Sequence, residues 1–276
     1  MITKADKCKT RYPLFMVHGT GFRDFKHISY WGRIPKKLEE HGAKIFYGYQ
    51  DSWASVEENA RTLKNELSAM IQNEHIEKVN IIAHSKGGLE ARYLVSCLGC
   101  APWVASITTI STPHNGSKTM DMLLKLPKPL IHFAGFFVNC WFRLLGDKTP
   151  DFYTTCHQFT SEYTKDFNQD VVDMSGIFYQ SVATVMNSPA SDMLMWFPSL
   201  IVSLVEGEND GLVTPESAMY WDNQYLWKSS CRRGISHADS VDMRRKAFSK
   251  DKNADDVSDI VDAYVNLISE LANCGY

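Results

Sequence analysis

The sequence predicts an α/β fold built on a mostly parallel central sheet flanked by helices. Two observations carry this. Short apolar runs that stop at glycine or another small residue, the pattern of strands buried on both faces, alternate with amphipathic stretches of helical period in the front third of the chain. The chain is also 276 residues long and 44% apolar, which suits one well-buried domain of the larger kind spanning 1–276.

In chain order, Leu14-Phe-Met-Val-His18 is a continuous apolar run that stops at Gly19, as a buried strand would. Ser55-Val-Glu-Glu58 has the form of a capping box, with Glu three residues after Ser. It opens a helix whose apolar residues Val56, Ala60, Leu63, Leu67, Met70 and Ile71 trace one face. Val79–Ala83 follows as the next buried strand, then a helix over Leu89–Leu98 and a strand over Val104–Ile110. After Thr112-Pro113 the regularity breaks. Residues from about 117 to 165 mix Pro127, Pro129, Pro150, Gly135 and Gly146 with many large apolar groups, which predicts a lid or cap insertion rather than sheet core. Strand character is predicted again at Leu200–Val205. Val257, Ile260, Val261, Tyr264, Leu267, Ile268 and Leu271 then mark a closing amphipathic helix, stopped at Gly275.

The net charge is −3, from 29 Lys and Arg against 32 Asp and Glu, which excludes a strongly basic nucleic-acid binder. The longest uncharged apolar runs, Pro129–Phe142 and Met193–Val205, fall short of the roughly 18–20 residues of a membrane span. The first thirteen residues hold four Lys or Arg and no hydrophobic stretch. The expectation is therefore a cytoplasmic protein or one whose leader has been removed. Seven widely spread cysteines do not form a disulfide framework, and Cys97 with Cys100 reads as an ordinary helix-end pair.

Chemistry concentrates in Asn80-Ile-Ile-Ala-His-Ser-Lys-Gly-Gly-Leu89. A buried strand runs into a small-x-Ser-x-small turn, Ala83 to Gly87, and a helix follows. Such a turn holds the serine in a strained conformation and admits only small side chains two residues either side. Ala83 stands where Gly is usual. The helix turns its N-terminus toward Ser85, where the helix dipole favours developing negative charge. At the end of the first strand, His18-Gly19-Thr20-Gly21 can aim a backbone N–H at the attacked carbonyl oxygen. The backbone N–H groups of Thr20 and Lys86 are the expected oxyanion hole. The Lys86 side chain, needed for neither, is expected to point to solvent.

A serine nucleophile on this architecture is followed by an acid and then a histidine in chain order. His114 comes too early for the base, and His132 and His157 fall in the irregular segment. His237 lies late, in a loop before the last helix. Among Glu206, Glu208 and Asp210, the turn residues Asn209 and Gly211 favour Asp210 as the acid. His237 would take the Ser85 proton, with Asp210 fixing its tautomer.

These pieces together resemble the bacterial triacylglycerol lipases of the α/β-hydrolase superfamily. The matching stretches are Pro13–Gly19, Lys78–Leu89, Ala91-Arg-Tyr93, Val104–Ser117, Asn209–Val213 and His237-Ala-Asp239, in order across most of the chain. The resemblance implies the α/β-hydrolase fold and a serine-dependent lipase or esterase. Its substrate is a lipid or acyl ester met at a lipid–water interface, under a mobile helical lid at about 117–165. It further implies one structural calcium ion near the catalytic histidine, held by Asp192, Asp239 and the carbonyls of Met243 and Ala247. The Asp192 spacing is approximate, and no Gln stands at 243. A short-chain carboxylesterase or an acyltransferase would use the same triad. A non-catalytic binding protein on a hydrolase scaffold is the reading from another class.

Overall fold

The computed structural model describes residues 6–21, 30–249 and 256–276. Chain order is β1 (Leu14–Val17), α1 (Ile34–Glu40), β2 (Ile45–Tyr47), α2 (Val56–Glu74), β3 (Val79–His84), α3 (Lys86–Cys97), β4 (Val104–Ile110), α4 (Lys118–Leu123), α5 (Lys128–Leu144), α6 (Phe152–His157), α7 (Ser161–Asp170), β5 (Phe178–Thr184), α8 (Trp196–Val205), α9 (Pro215–Ala218), β6 (Gln224–Trp227) and α10 (Ile260–Asn273). Among the described residues the strands form one sheet in the order β2-β1-β3-β4-β5-β6. Every neighbouring pair is parallel.

The uninterrupted apolar run of β1 follows from burial on both faces. Leu14 and Met16 pack with Ile82, Val182, Trp31, Ile34 and Leu38 under α1 and α10. Phe15 and Val17, one residue out of phase, pack with Ile81, Ile107, Leu63, Leu67 and Leu94 under α2 and α3. The serine half of the predicted capping box is present: Ser55 Oγ accepts from the Glu58 N–H at 3.2 Å, while the Glu58 carboxylate pairs with Arg61, and α2 ends on a left-handed His75. Asp259 caps α10 in the same way, through the Val261 N–H at 3.1 Å.

Strand order reverses beside β1, whose neighbours β2 and β3 follow it in the chain on opposite sides. The turns after β1 and β3 diverge there and leave a crevice at the strand ends, the usual ligand site of an open parallel sheet. Thr20 and Ser85 lie on these two turns.

One predicted strand is a helix. Leu200–Val205 belongs to α8, and the sheet positions are filled by β5 and β6 instead. An apolar run of this length is compatible with either element. The arrangement settles the matter, because α8 lies outside the sheet with Leu200 and Leu204 exposed. The irregular segment at 117–165 forms helices, α4 to α7, reaching Asp170. Among the described residues no helix is long and apolar enough to cross a membrane, and all seven cysteines are unpaired.

Candidate active site

The turn after β3 brings three distant residues into one hydrogen-bonded line. Ser85 Oγ lies 3.0 Å from His237 Nε2, and His237 Nδ1 lies 2.9 Å from Asp210 Oδ2. The carboxylate can only accept, so His237 Nδ1 carries the proton and its Nε2 lone pair faces the serine hydroxyl. Ser85 is buried and adopts φ 55° and ψ −130°. That left-handed backbone carries the strain expected of the turn. Neighbouring glycines are required by close approach. A Cβ on Gly19 would come within 2.6 Å of Ser85 Cβ, and one on Gly87 within 2.6 Å of the His18 carbonyl oxygen.

Asp210 sits beyond the end of β5, reached by the chain only after the excursion through α8. Its Oδ1 accepts from the backbone N–H groups of Leu212 at 3.1 Å and Val213 at 2.9 Å. Thr184 Oγ1 donates to Oδ2 at 3.2 Å. Burial alone would push this carboxyl up, but the His237 ring and these backbone donors outweigh it and hold Asp210 below the usual carboxylate range. The two rival acids are engaged elsewhere. Glu206 accepts from Ser117 Oγ and the Thr119 N–H at 2.7 and 2.8 Å, and Glu208 pairs with Lys228 on the surface. The earlier histidine His114 is buried against Thr109 and Arg92 and stacked on Tyr220.

Thr20 faces the same cavity as Ser85. Lys86 occupies the first position of α3, where no preceding helical carbonyl is available for its N–H. The Lys86 side chain, expected in solvent, is instead fully buried. Its Nζ donates to the Ala54 carbonyl at 2.5 Å and pairs with Glu90 at 3.1 Å. Glu90 also accepts from Asn59 Nδ2 at 2.7 Å and Gln50 Nε2 at 3.3 Å. Gln50 Nε2 in turn reaches the His18 carbonyl at 2.9 Å. Burial raises the Glu90 carboxyl, against the pull of Lys86 and these amides. The network ties the first turn of α3 to the strand end that carries Thr20.

A second chain runs behind the triad. The Gly19 N–H donates to Tyr30 Oη at 3.1 Å, and Tyr30 Oη lies 2.7 Å from His84 Nδ1. His84 Nε2 lies 2.8 Å from Ser240 Oγ, which donates to the His237 carbonyl at 2.7 Å. Every link is satisfied when His84 is neutral and protonated on Nε2. Complete burial, then the nearby His237 and His18, hold its pKa well below the ordinary value. The His84 and His237 ring centroids lie 4.5 Å apart, with the ring planes tilted by 48°. Neither this chain nor the Lys86 network was apparent from the sequence. The i,i+4 spacing of Lys86 and Glu90 on a helix that must pack against the sheet is the one local signal for the latter.

Ser85 opens into a cavity of about 330 Å³. Met120 and Leu123 of α4 and Phe197, Ile201 and Val202 of α8 line it, with Trp53 and Leu212. The roof is therefore built from two segments, of which sequence reading identified only the first.

The residues implied for calcium are brought together in part. Asp192 and Asp239 converge beside the His237 loop, and Ser236 Oγ lies within 2.8 and 3.0 Å of their Oδ2 atoms. Met243 lines the adjoining cleft, whereas Ala247 is exposed and is not among the lining residues. Between the two carboxylates stands the Arg244 guanidinium, with Arg233 beside it. Calcium requires six to eight oxygen ligands, and here the carboxylate oxygens it would use already accept from nitrogen donors. The donor set does not fit the ion.

Comparison with known proteins agrees with this architecture. The sequence profile of the palmitoyl protein thioesterase family matches residues 13–246. A triacylglycerol lipase of Pseudarthrobacter phenanthrenivorans is 37% identical over 121 residues, covering 41% of this chain and 37% of that protein. The chain thus spans well under half of that relative's length. Triacylglycerol lipase 2 of Saccharomyces cerevisiae is 25% identical over 268 residues, covering 92% of this chain and 77% of that protein. The crystal structure of Staphylococcus hyicus lipase superposes with a TM-score of 0.68 at 16% identity, covering 99% of each chain, which is a likeness of fold. The chain belongs to the palmitoyl protein thioesterase family and shares its fold with the Staphylococcus hyicus lipase.

Proposed function

We propose that the protein is a serine-dependent carboxylic ester hydrolase that cleaves acylglycerol esters through an acyl-enzyme. The observation that carries this is the Ser85–His237–Asp210 line of hydrogen bonds opening into an apolar cavity. Ser85 Oγ would attack the ester carbonyl as His237 Nε2 takes its proton, with the Asp210 carboxylate stabilising the imidazolium. The Thr20 and Lys86 N–H groups would receive the oxyanion. Protonated His237 would then return the proton to the leaving alkoxide, and water, activated by the same nitrogen, would release the acid. The cavity is near the lower end of the roughly 300–1,000 Å³ range of ligand pockets, which suits one acyl chain with the alcohol portion in the open mouth.

A lipid–water interface is the site of action favoured by α5. Leu130, Phe133, Phe136, Phe137, Trp141 and Leu144 are all exposed along one face of this helix. A contiguous apolar stripe turned outward marks a surface meant to be covered, and α4 to α7 with α8 are read as the lid. An acyl thioester is the second reading, favoured by the family profile, and would pass through the same acyl-enzyme.

The test is hydrolysis of glycerol esters and matched thioesters of increasing acyl length, soluble and emulsified, with a fluorescent phosphonate to label the nucleophile. The expected result is labelling lost in Ser85→Ala and turnover that rises with chain length on emulsified glycerol esters. Turnover confined to soluble acetyl and butyryl esters would make the protein a short-chain esterase. Preference for the thioester series would favour the second reading, and absence of both labelling and turnover would sink the enzyme.

A further inference from the structure

The cluster beside the catalytic histidine has a definite charge plan. Asp192 and Asp239 are nearly sealed from solvent, their side chains 6% and 4% exposed. Arg244 grips Asp239 with both sides of its fork, Nε to Oδ1 at 2.7 Å and Nη2 to Oδ2. The same Nη2 reaches Asp192 Oδ2 at 3.2 Å. Arg233 Nη2 adds contacts of 3.5 Å to Asp192 and 3.9 Å to Asp239. Two carboxylates thus meet two guanidinium groups, and the cluster is neutral as it stands.

Each carboxylate is also anchored to a functional segment. Asp239 lies two residues after His237 and accepts from the Ser236 N–H at 3.2 Å. Asp192 Oδ1 accepts from the Leu194 and Met195 N–H groups at 2.8 and 3.2 Å, and Met195 is the residue from which α8 starts. The Arg244 side chain therefore joins the histidine loop to the base of the cap helix.

We propose that Arg244, supported by Arg233, is the resident cation of this site. It holds Asp192 and Asp239 together in place of a divalent metal ion, so the His237 loop is positioned without calcium. A guanidinium suits this task because it is always charged and its planar fork matches a carboxylate. Two buried carboxylates without it would repel each other. Arg244 acts on turnover only through the loop it positions.

The test uses the full chain as wild type, Arg244→Ala and Arg244→Lys. Each is melted, titrated with calcium by calorimetry, and assayed on a soluble acyl ester, in EGTA and in millimolar calcium chloride. Wild type should show the same Tm and kcat in both buffers and no calcium binding. Arg244→Ala should melt several degrees lower in EGTA and lose about tenfold or more in kcat with KM little changed, as for a displaced catalytic group. Calcium should then bind the vacated carboxylates and restore part of both losses. Arg244→Lys should recover most of the Tm with no response to calcium. A wild-type Tm that falls in EGTA and returns with calcium overturns the proposal, as does an Arg244→Ala variant with unchanged Tm and kcat. If the alanine variant does not fold, the wild-type calcium titration decides alone: binding overturns the proposal and its absence upholds it. Only the kcat arm rests on the hydrolase reading; the melts and calorimetry stand whether or not Ser85 is the nucleophile.

Discussion

Ser85 is held at an unfavourable backbone conformation by neighbours that leave no room for relaxation, with Gly19 and Gly87 pressed against its turn. Removing its hydroxyl takes away one small group and no packing. Ser85→Ala should therefore melt as wild type and lose ester hydrolysis down to what the oxyanion hole and binding alone provide. Asp210→Asn tests the acid more sharply. An amide at that position would present an N–H toward His237 Nδ1 or force the other tautomer, and the comparable change in a serine protease costs about 10⁴ in kcat. Steady-state kinetics on a soluble ester should show a fall of that order, while Glu208→Gln stays near wild type because Glu208 pairs with Lys228 on the surface. The reverse outcome would move the acid to Glu208.

The helices α5 and α8 share an unusual feature: each turns large apolar side chains outward. On α5, Phe136 and Phe137 are 61% and 56% exposed, so their replacement by Ser should leave the fold intact. Moving one Phe side chain from water into an apolar phase is worth about 1.5–3 kcal/mol. The double variant should therefore turn over emulsified long-chain ester about a hundredfold more slowly and soluble butyrate ester at nearly the wild-type rate. Equal losses on both substrates would assign α5 a folding role instead. On α8, Phe197, Ile201 and Val202 roof the cavity while Leu200 and Leu204 face out. Glu206, just past its end, ties it to the start of α4. The helix can roof the cavity and present an apolar outer face only because it sits outside the sheet.

Two fully buried neutral histidines make the folded chain sensitive to acid. Burial and then His237 and His18 depress His84, and burial and then Arg92 depress His114. The unfolded chain, with histidines near their ordinary pKa of ~6.5, binds more protons below that pH than the native state does, so stability falls with falling pH. Each histidine should remove about 1.4 kcal/mol between pH 7.5 and 5.5, about 3 kcal/mol for the pair, of which Asp239 returns a part because burial pushes its native carboxyl up to about 6. Asp210, held below the usual carboxylate range, adds to the loss only at lower pH, where the unfolded carboxyl takes up a proton that the native one still excludes. Urea unfolding at the two pH values measures the difference, and an unchanged stability would mean that both rings are charged in the native protein. The sequence sufficed to locate strands buried on both faces, the Ser85 turn, Asp210 in its turn and His237 beyond it. The first three are announced by patterns that close within ten or so residues, namely an apolar run, small residues flanking a serine and turn formers around an acid, whereas His237 follows only from its place in chain order after them. It also paired Asp192 with Asp239, through the spacing of a family it resembles. It did not reveal that Leu200–Val205 is helical, that Lys86 points inward, or that an arginine joins the two aspartates. Those outcomes depend on what folding brings opposite each residue. Lys86 meets Ala54, 32 positions earlier, and Arg244 meets Asp192, 52 positions away. A charge can be buried only where a partner of opposite sign or a hydrogen-bond acceptor awaits it, and that partner is supplied by the packing of distant segments.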